Sequence, residues 1–155
     1  MQRLILRTLV FFLMPLCLFA ENFSLDQHDF KGKHFLASYL DCDPQALTNI
    51  DALLLAMDEA VGASGTCILQ RTHHVFPPHG VTVVYLLAES HASIHTYPEQ
   101  GACFVDLFTC GDHCSSLPFH QLLESYLKPQ AVNARQFLRH QTIEEDTTFS
   151  LKDNF

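Results

Sequence analysis

Beyond residue 30 the hydrophobic positions switch between a period of two and a period near 3.6, and the switches mark the elements. K-H-F-L-A-S-Y-L (Lys33–Leu40) reads as a strand. D-C-D-P then turns the chain, with Asp43 as an N-cap and Pro44 in the first helical position. Leu47, Ile50, Leu53, Leu54, Met57 and Val61 recur at spacings of three and four, which predicts one amphipathic helix closed by Gly62. Thr66–Phe76 and Val81–Ala88 read as strands, and P-P-H-G between them (Pro77–Gly80) is turn chemistry, so the two form a hairpin. A further short strand is optional before Thr96–Gly101, which is loop-like with its Pro98 and Gly101. Ala102–Cys110 alternates as another strand. Ser115 or Ser116 starts a second helix that runs to about Lys128, before Pro129, and Ala131–Arg139 closes the pattern as a last strand. Few helices and many antiparallel strands predict an α+β two-layer sandwich, an antiparallel sheet with two helices on one face.

The first twenty residues follow a different rule. Arg3 and Arg7 precede an apolar run, Leu9–Phe19, which ends at Ala20. That is the layout of a secretory signal, although Leu18 occupies a place where a small residue is preferred. The run is shorter than the roughly 20 residues that span a bilayer, so no stable membrane span is expected. The organisation is then a signal-like leader (1–20), one domain (21–139) and a polar, acidic tail (140–155) that frays.

Composition narrows the function classes. At 48% hydrophobic and 17% charged, the chain can bury a core and is not of disordered type. The net charge of -8 and the lack of a Lys/Arg stripe argue against nucleic acid as a partner. Of the six cysteines, Cys42, Cys67 and Cys103 read as small core residues. C-G-D-H-C (Cys110–Cys114) lacks a second ligand pair at zinc spacing, so no metal is expected.

The chemistry concentrates after the third strand, in L-L-A-E-S-H-A-S-I-H-T-Y-P-E-Q-G (Leu86–Gly101). Ser90 with His91 or His95 and Asp106 or Asp112 has the residue types of a serine hydrolase, but G-x-S-x-G is absent. A Cys110 nucleophile with a histidine base is equally open by composition.

Three segments carry a more specific signal: G-K-H-F-L-A-S-Y-L-D-C-D-P, F-P-P-H-G-V-T-V-V-Y-L-L-A-E-S-H-A-S-I-H-T-Y-P-E-Q-G and V-D-L-F-T-C-G-D-H. Together they resemble the bacterial S-adenosylmethionine decarboxylase proenzymes over about Gly32–Lys128. The resemblance implies that the chain cuts itself between Glu89 and Ser90, leaving a β chain that ends at Glu89 and an α chain that begins with a pyruvoyl group made from Ser90. It implies His95, five residues after the serine, as the processing histidine, and Thr82, eight residues before it, as a processing hydroxyl where serine is usual. A threonine keeps the hydroxyl and restricts its rotamer. The pyruvoyl ketone would form a Schiff base with the substrate amine and serve as the electron sink. Cys110 of F-T-C-G would return a proton to the α-carbon.

For the substrate, the resemblance implies adenine stacking on Phe76 and on Tyr97, where tryptophan is usual, with Glu99 on the ribose hydroxyls. Ala92 replaces the usual leucine. These departures keep open a pyruvoyl-dependent arginine or ornithine decarboxylase on the same fold. A non-catalytic, exported, disulfide-containing binding module is the reading outside enzymes, and a disulfide at Cys110 would favour it. The resemblance also implies a homodimer of processed protomers. The substrate argues for the cytoplasm and the leader for export.

Overall fold

The computed structural model describes residues 31–140. The expected leader, and the expected tail beyond His140, lie outside the described residues. The elements are β1 (Lys31–Leu40), α1 (Pro44–Thr48), α2 (Ile50–Ala63), β2 (Ile68–Phe76), β3 (Gly80–Leu87), β4 (Ser90–Tyr97), β5 (Ala102–Thr109), α3 (Ser116–Leu127) and β6 (Ala131–His140), with a 3-10 turn at Pro98–Gln100. The strands form one sheet in the order β2-β3-β4-β5-β1-β6. Every pairing is antiparallel. Among the described residues no helix is long and apolar enough to cross a membrane.

Alternation puts one side of each of the four central strands, β1, β3, β4 and β5, into the core. Phe35, Ala37 and Tyr39 of β1, Val83 and Tyr85 of β3, Ala92 and Ile94 of β4 and Val105 and Leu107 of β5 pack with Leu47, Leu53, Met57, Phe119, Leu123 and Leu127 of the helices. The helices therefore share one sheet face, as expected of the two-layer sandwich.

Three local expectations change. The first helix is two. Asn49 leaves the helical region (φ −82°, ψ 88°), and its side chain accepts the Ala52 N–H at 3.2 Å and so starts α2. Gly62 remains helical, and the stop lies at Ser64, whose hydroxyl donates to the Val61 carbonyl at 2.6 Å, and at Gly65, which takes the left-handed conformation (φ +85°). The optional strand is a full one, β4, in the middle of the sheet between β3 and β5. Thr96 and Tyr97, expected in a loop, belong to it. Thr96 is buried and its hydroxyl accepts the Val81 N–H at 2.9 Å, so a polar residue serves as a core position.

The other sheet face is open. Leu36, Val84, Leu86, Phe104 and Phe137 are each at least 40% exposed there. Five large apolar side chains exposed on one sheet face mark it as a candidate interaction surface.

Candidate active site

β3 and β4 meet at Ala88–Glu89, and the backbone there is unusual. Ser90 has φ +156°, outside the regions that L-residues favour, and this strain sits on the residue that starts β4. Glu89 is fixed on both sides of its Cα. Its carboxylate accepts the Cys67 N–H at 2.9 Å and stands 4.0 Å from His113 Nε2. Its carbonyl accepts the Cys110 N–H at 3.1 Å. A donor already aimed at that oxygen would stabilise negative charge developing on it during attack at the carbonyl carbon. The hydroxyl in position to attack belongs to the next residue, Ser90. Cys110 itself is exposed and free, directly after β5, whose Thr109 pairs with Ser90.

The register places other chemistry-bearing residues around this point. On the open face His34, Phe108 and His91 lie in one row across β1, β5 and β4. His91 Nδ1 is 3.2 Å from Ser90 Oγ. Asp106 Oδ1 lies 3.8 Å from His91 Nε2 and 3.9 Å from His34 Nε2. The other oxygen of Asp106 accepts a hydrogen bond from Ser93 Oγ. Burial lowers the pKa of His34 below its ordinary value, ahead of the opposing pull of Asp106. Ligand atoms of His34, His91 and Asp106 all lie within 4.8 Å of one another, a set that can hold a divalent metal ion. Among the described residues this is where such atoms converge; at C-G-D-H-C they do not, since Cys114 is buried and Cys110 is exposed.

The remaining expected residues gather at the opposite end of β4. Thr82 hydrogen-bonds His95 Nδ1, its cross-strand partner. The His95 ring lies 4.5 Å from that of Tyr97 and 5.8 Å from that of Phe76, and Tyr97 is 5.4 Å from Phe104. Glu99 follows in the exposed 3-10 turn. A groove of about 430 Å³ is lined by Leu36, Ser93, His95, Asp106, Arg135 and Phe137 among others. His95 is five residues from Ser90 along an extended strand, or about 16 Å at ~3.3 Å per residue. Within one chain, then, Glu89, Ser90 and Cys110 form one group, and Thr82, His95, Phe76 and Tyr97 form another.

Comparison with known proteins identifies the family. A family model described as S-adenosylmethionine decarboxylase matches residues 33–140. The chain belongs to the S-adenosylmethionine decarboxylase family. A proenzyme of that name from Fervidobacterium nodosum is 41% identical over 108 residues, covering 70% of this chain and 79% of the relative. One from Parasynechococcus marenigrum is 42% identical over 108 residues, 70% and 84% of the two chains. The crystal structure of the adenosylmethionine decarboxylase from Aquifex aeolicus superposes with a TM-score of 0.67 at 29% identity, covering 77% of this chain and 98% of that one. Decarboxylases of this family are made as proenzymes and depend on a pyruvoyl group formed from an internal serine. The arginine, ornithine and binding-module alternatives gain no support from these relatives. Cys110 is free, so the disulfide that would have favoured a binding module is not there. Cys67, expected as a plain core residue, is disulfide-bonded.

The residues around Ser90 fit the family's pyruvoyl group. β3 stays paired to β2, and β4 to β5, if the Glu89–Ser90 link is broken. Both new ends would therefore keep their places. Sequence reasoning offered His91 and Asp106 as candidate partners of Ser90 by composition alone and did not single out His34. Only the register, with His34 and His91 both opposite Phe108, brings them together.

Proposed function

We propose that this chain cleaves itself between Glu89 and Ser90 and then decarboxylates S-adenosylmethionine, making the aminopropyl donor for spermidine. The observation that carries the proposal is the Glu89 carbonyl, held by the Cys110 N–H at 3.1 Å next to a strained serine. Ser90 Oγ adds to the Glu89 carbonyl carbon, the C–N bond breaks, and an ester forms. Loss of the Ser90 α-proton expels the Glu89 carboxylate, and hydrolysis of the dehydroalanine releases ammonia and leaves the pyruvoyl end. That group would supply an electron sink for the pair left on the substrate's α-carbon when CO2 departs. Cys110, beside it, is the proton donor, since its thiol is free and exposed. Phe76 and Tyr97 offer π-faces for the adenine and Glu99 accepts from the ribose hydroxyls.

His95 and Thr82 serve the α-proton step, and they do so from a second copy. One chain holds them about 16 Å from its own Ser90. A homodimer closed through the open face covers Leu36, Val84, Phe104 and Phe137 and brings the aromatic end of one copy to the serine of the other. The substrate is an intracellular metabolite, which favours a cytoplasmic location; a β chain that keeps Met1 on N-terminal sequencing is the expected result.

The test is direct. Intact mass should show two fragments split at Glu89–Ser90, and CO2 should be released from S-adenosylmethionine but not from arginine or ornithine. A wild-type chain that stays whole after long incubation would refute the reading.

A further inference from the structure

We propose that His91 is the base that takes the Ser90 hydroxyl proton in the first step of self-cleavage, and that Asp106 is its positioning residue. This deepens the self-cleavage reading and rests on it. The α-proton step assigned to His95 comes second. The first step needs a base at Ser90 Oγ, and among the described residues the side chain hydrogen-bonded to that oxygen is His91, at 3.2 Å from Nδ1.

The ring is held so that Nδ1 faces the hydroxyl. Asp106 Oδ1 stands 3.8 Å from Nε2, the other nitrogen, and a carboxylate on that side favours the tautomer with its proton on Nε2 and a lone pair on Nδ1. Asp106 is itself oriented by Ser93. Phe108 of β5 packs on the His91 ring with centroids 5.6 Å apart. Phe108 cannot slide away, because it lies against Gly32, where an added Cβ would come within 2.3 Å of the ring. The charged and titratable groups that face His91 are Asp106 from β5, His34 from β1 and, across the Phe108 ring at 4.6 Å, Arg139 from β6; β3 offers Leu86. His34 Nε2 is buried without a hydrogen-bond partner, so it makes no hydrogen bond that would draw Asp106 away from His91.

The bookkeeping closes without another reagent. The Oγ proton moves to His91 Nδ1 as Oγ bonds to the Glu89 carbonyl carbon. The oxyanion rests on the Cys110 N–H. His91 then returns the proton to the Ser90 amide nitrogen as the C–N bond breaks, leaving an ester and a free α-amine.

Hydroxylamine separates the two steps, because it cleaves an ester and leaves an amide intact. Full-length wild type, His91→Asn, Asp106→Asn and His95→Ala chains are made by cell-free synthesis and followed by intact mass with and without hydroxylamine. The His91→Asn chain is expected to cut at least ~10²-fold more slowly and to resist hydroxylamine. The His95→Ala chain is expected to stall as a hydroxylamine-labile ester. The Asp106→Asn chain is expected to cut about tenfold more slowly, and an Asp106→Glu chain, made alongside, to recover most of the wild-type rate because it returns a carboxylate to Nε2. Wild-type cutting by His91→Asn, a labile ester in His91→Asn, or wild-type cutting by Asp106→Asn would each overturn the assignment. A wild-type chain that never cuts would instead overturn self-cleavage itself.

Discussion

The two ends of β4 are built for different jobs. At Ser90 the backbone is strained, a carbonyl is already hydrogen-bonded, and a hydroxyl, a histidine and a free thiol converge. At His95 the backbone is ordinary strand, and a histidine and a threonine sit among aromatic rings. The first end can break a bond. The second can hold a ring but has no bond to break. An eight-residue strand keeps them apart, and strands do not bend enough to close that gap. On the proposed reading a complete site needs both ends, and a twofold pairing of open faces would supply them by laying unlike ends together.

The largest test of that contrast mixes two dead chains. Ser90→Ala and His95→Ala should each remain without a pyruvoyl group when made alone. Unfolded together and refolded at equal amounts, about half of the His95→Ala chains should be cut, because each mixed dimer joins an intact Ser90 to an intact partner His95. No cut product in the mixture, by intact mass, would break the comparison. Next in size, Cys110→Ala should keep its self-cleavage, which uses the Cys110 backbone N–H. Its CO2 release should fall by ~10²-fold or more, since the proton donor is lost. Loss of cutting as well would place the thiol in both reactions.

Much of this was legible in the sequence. The alternation of β1, β3 and β5 and the apolar spacing of α2 and α3 gave the sheet and helix layer, because buried faces impose those periods. β4 was harder to see. Its core side is Ala92, Ile94 and Thr96, so two of three buried positions are small or polar, and hydrophobic period alone does not mark it. The break at Asn49 was hidden because Leu47, Ile50 and Leu53 keep helical spacing across it. The site motif was legible as a set of residues but not as an arrangement. Ser90 and His95 are neighbours in the sequence and distant in the strand, whereas His34 and His91 are far apart in sequence and share a row through β1, β5 and β4 pairing. Register is a property of the whole sheet and cannot be read from one segment.

A smaller effect probes the aromatic end alone. Phe76→Ala removes an exposed ring from the edge strand β2 without touching the serine. An aromatic contact is worth about 0.5–1.5 kcal/mol, so KM for S-adenosylmethionine should rise up to roughly tenfold, with the rate of self-cleavage unchanged. Equal KM in variant and wild type would remove Phe76 from the adenine site.

The smallest effect belongs to the scissile end and concerns stability. His34 is an ordinary histidine when unfolded, with a value of 6.5, and burial lowers it in the fold. As pH falls through 6.5 the unfolded chain takes up this proton before the folded one does. The unfolded state then binds more protons, so stability falls with falling pH from that point down to the lowered folded value, and is fully present above it. His34 is partly open to solvent, which keeps the effect small. In the uncut Ser90→Ala background, His34→Gln should reduce the loss of Tm between pH 7 and pH 5 by on the order of 1–2 °C. Parallel melting curves for the two chains across that range would mean that His34 is as well solvated folded as unfolded, and that the row through His34, Phe108 and His91 is looser than its packing around Asp106 implies.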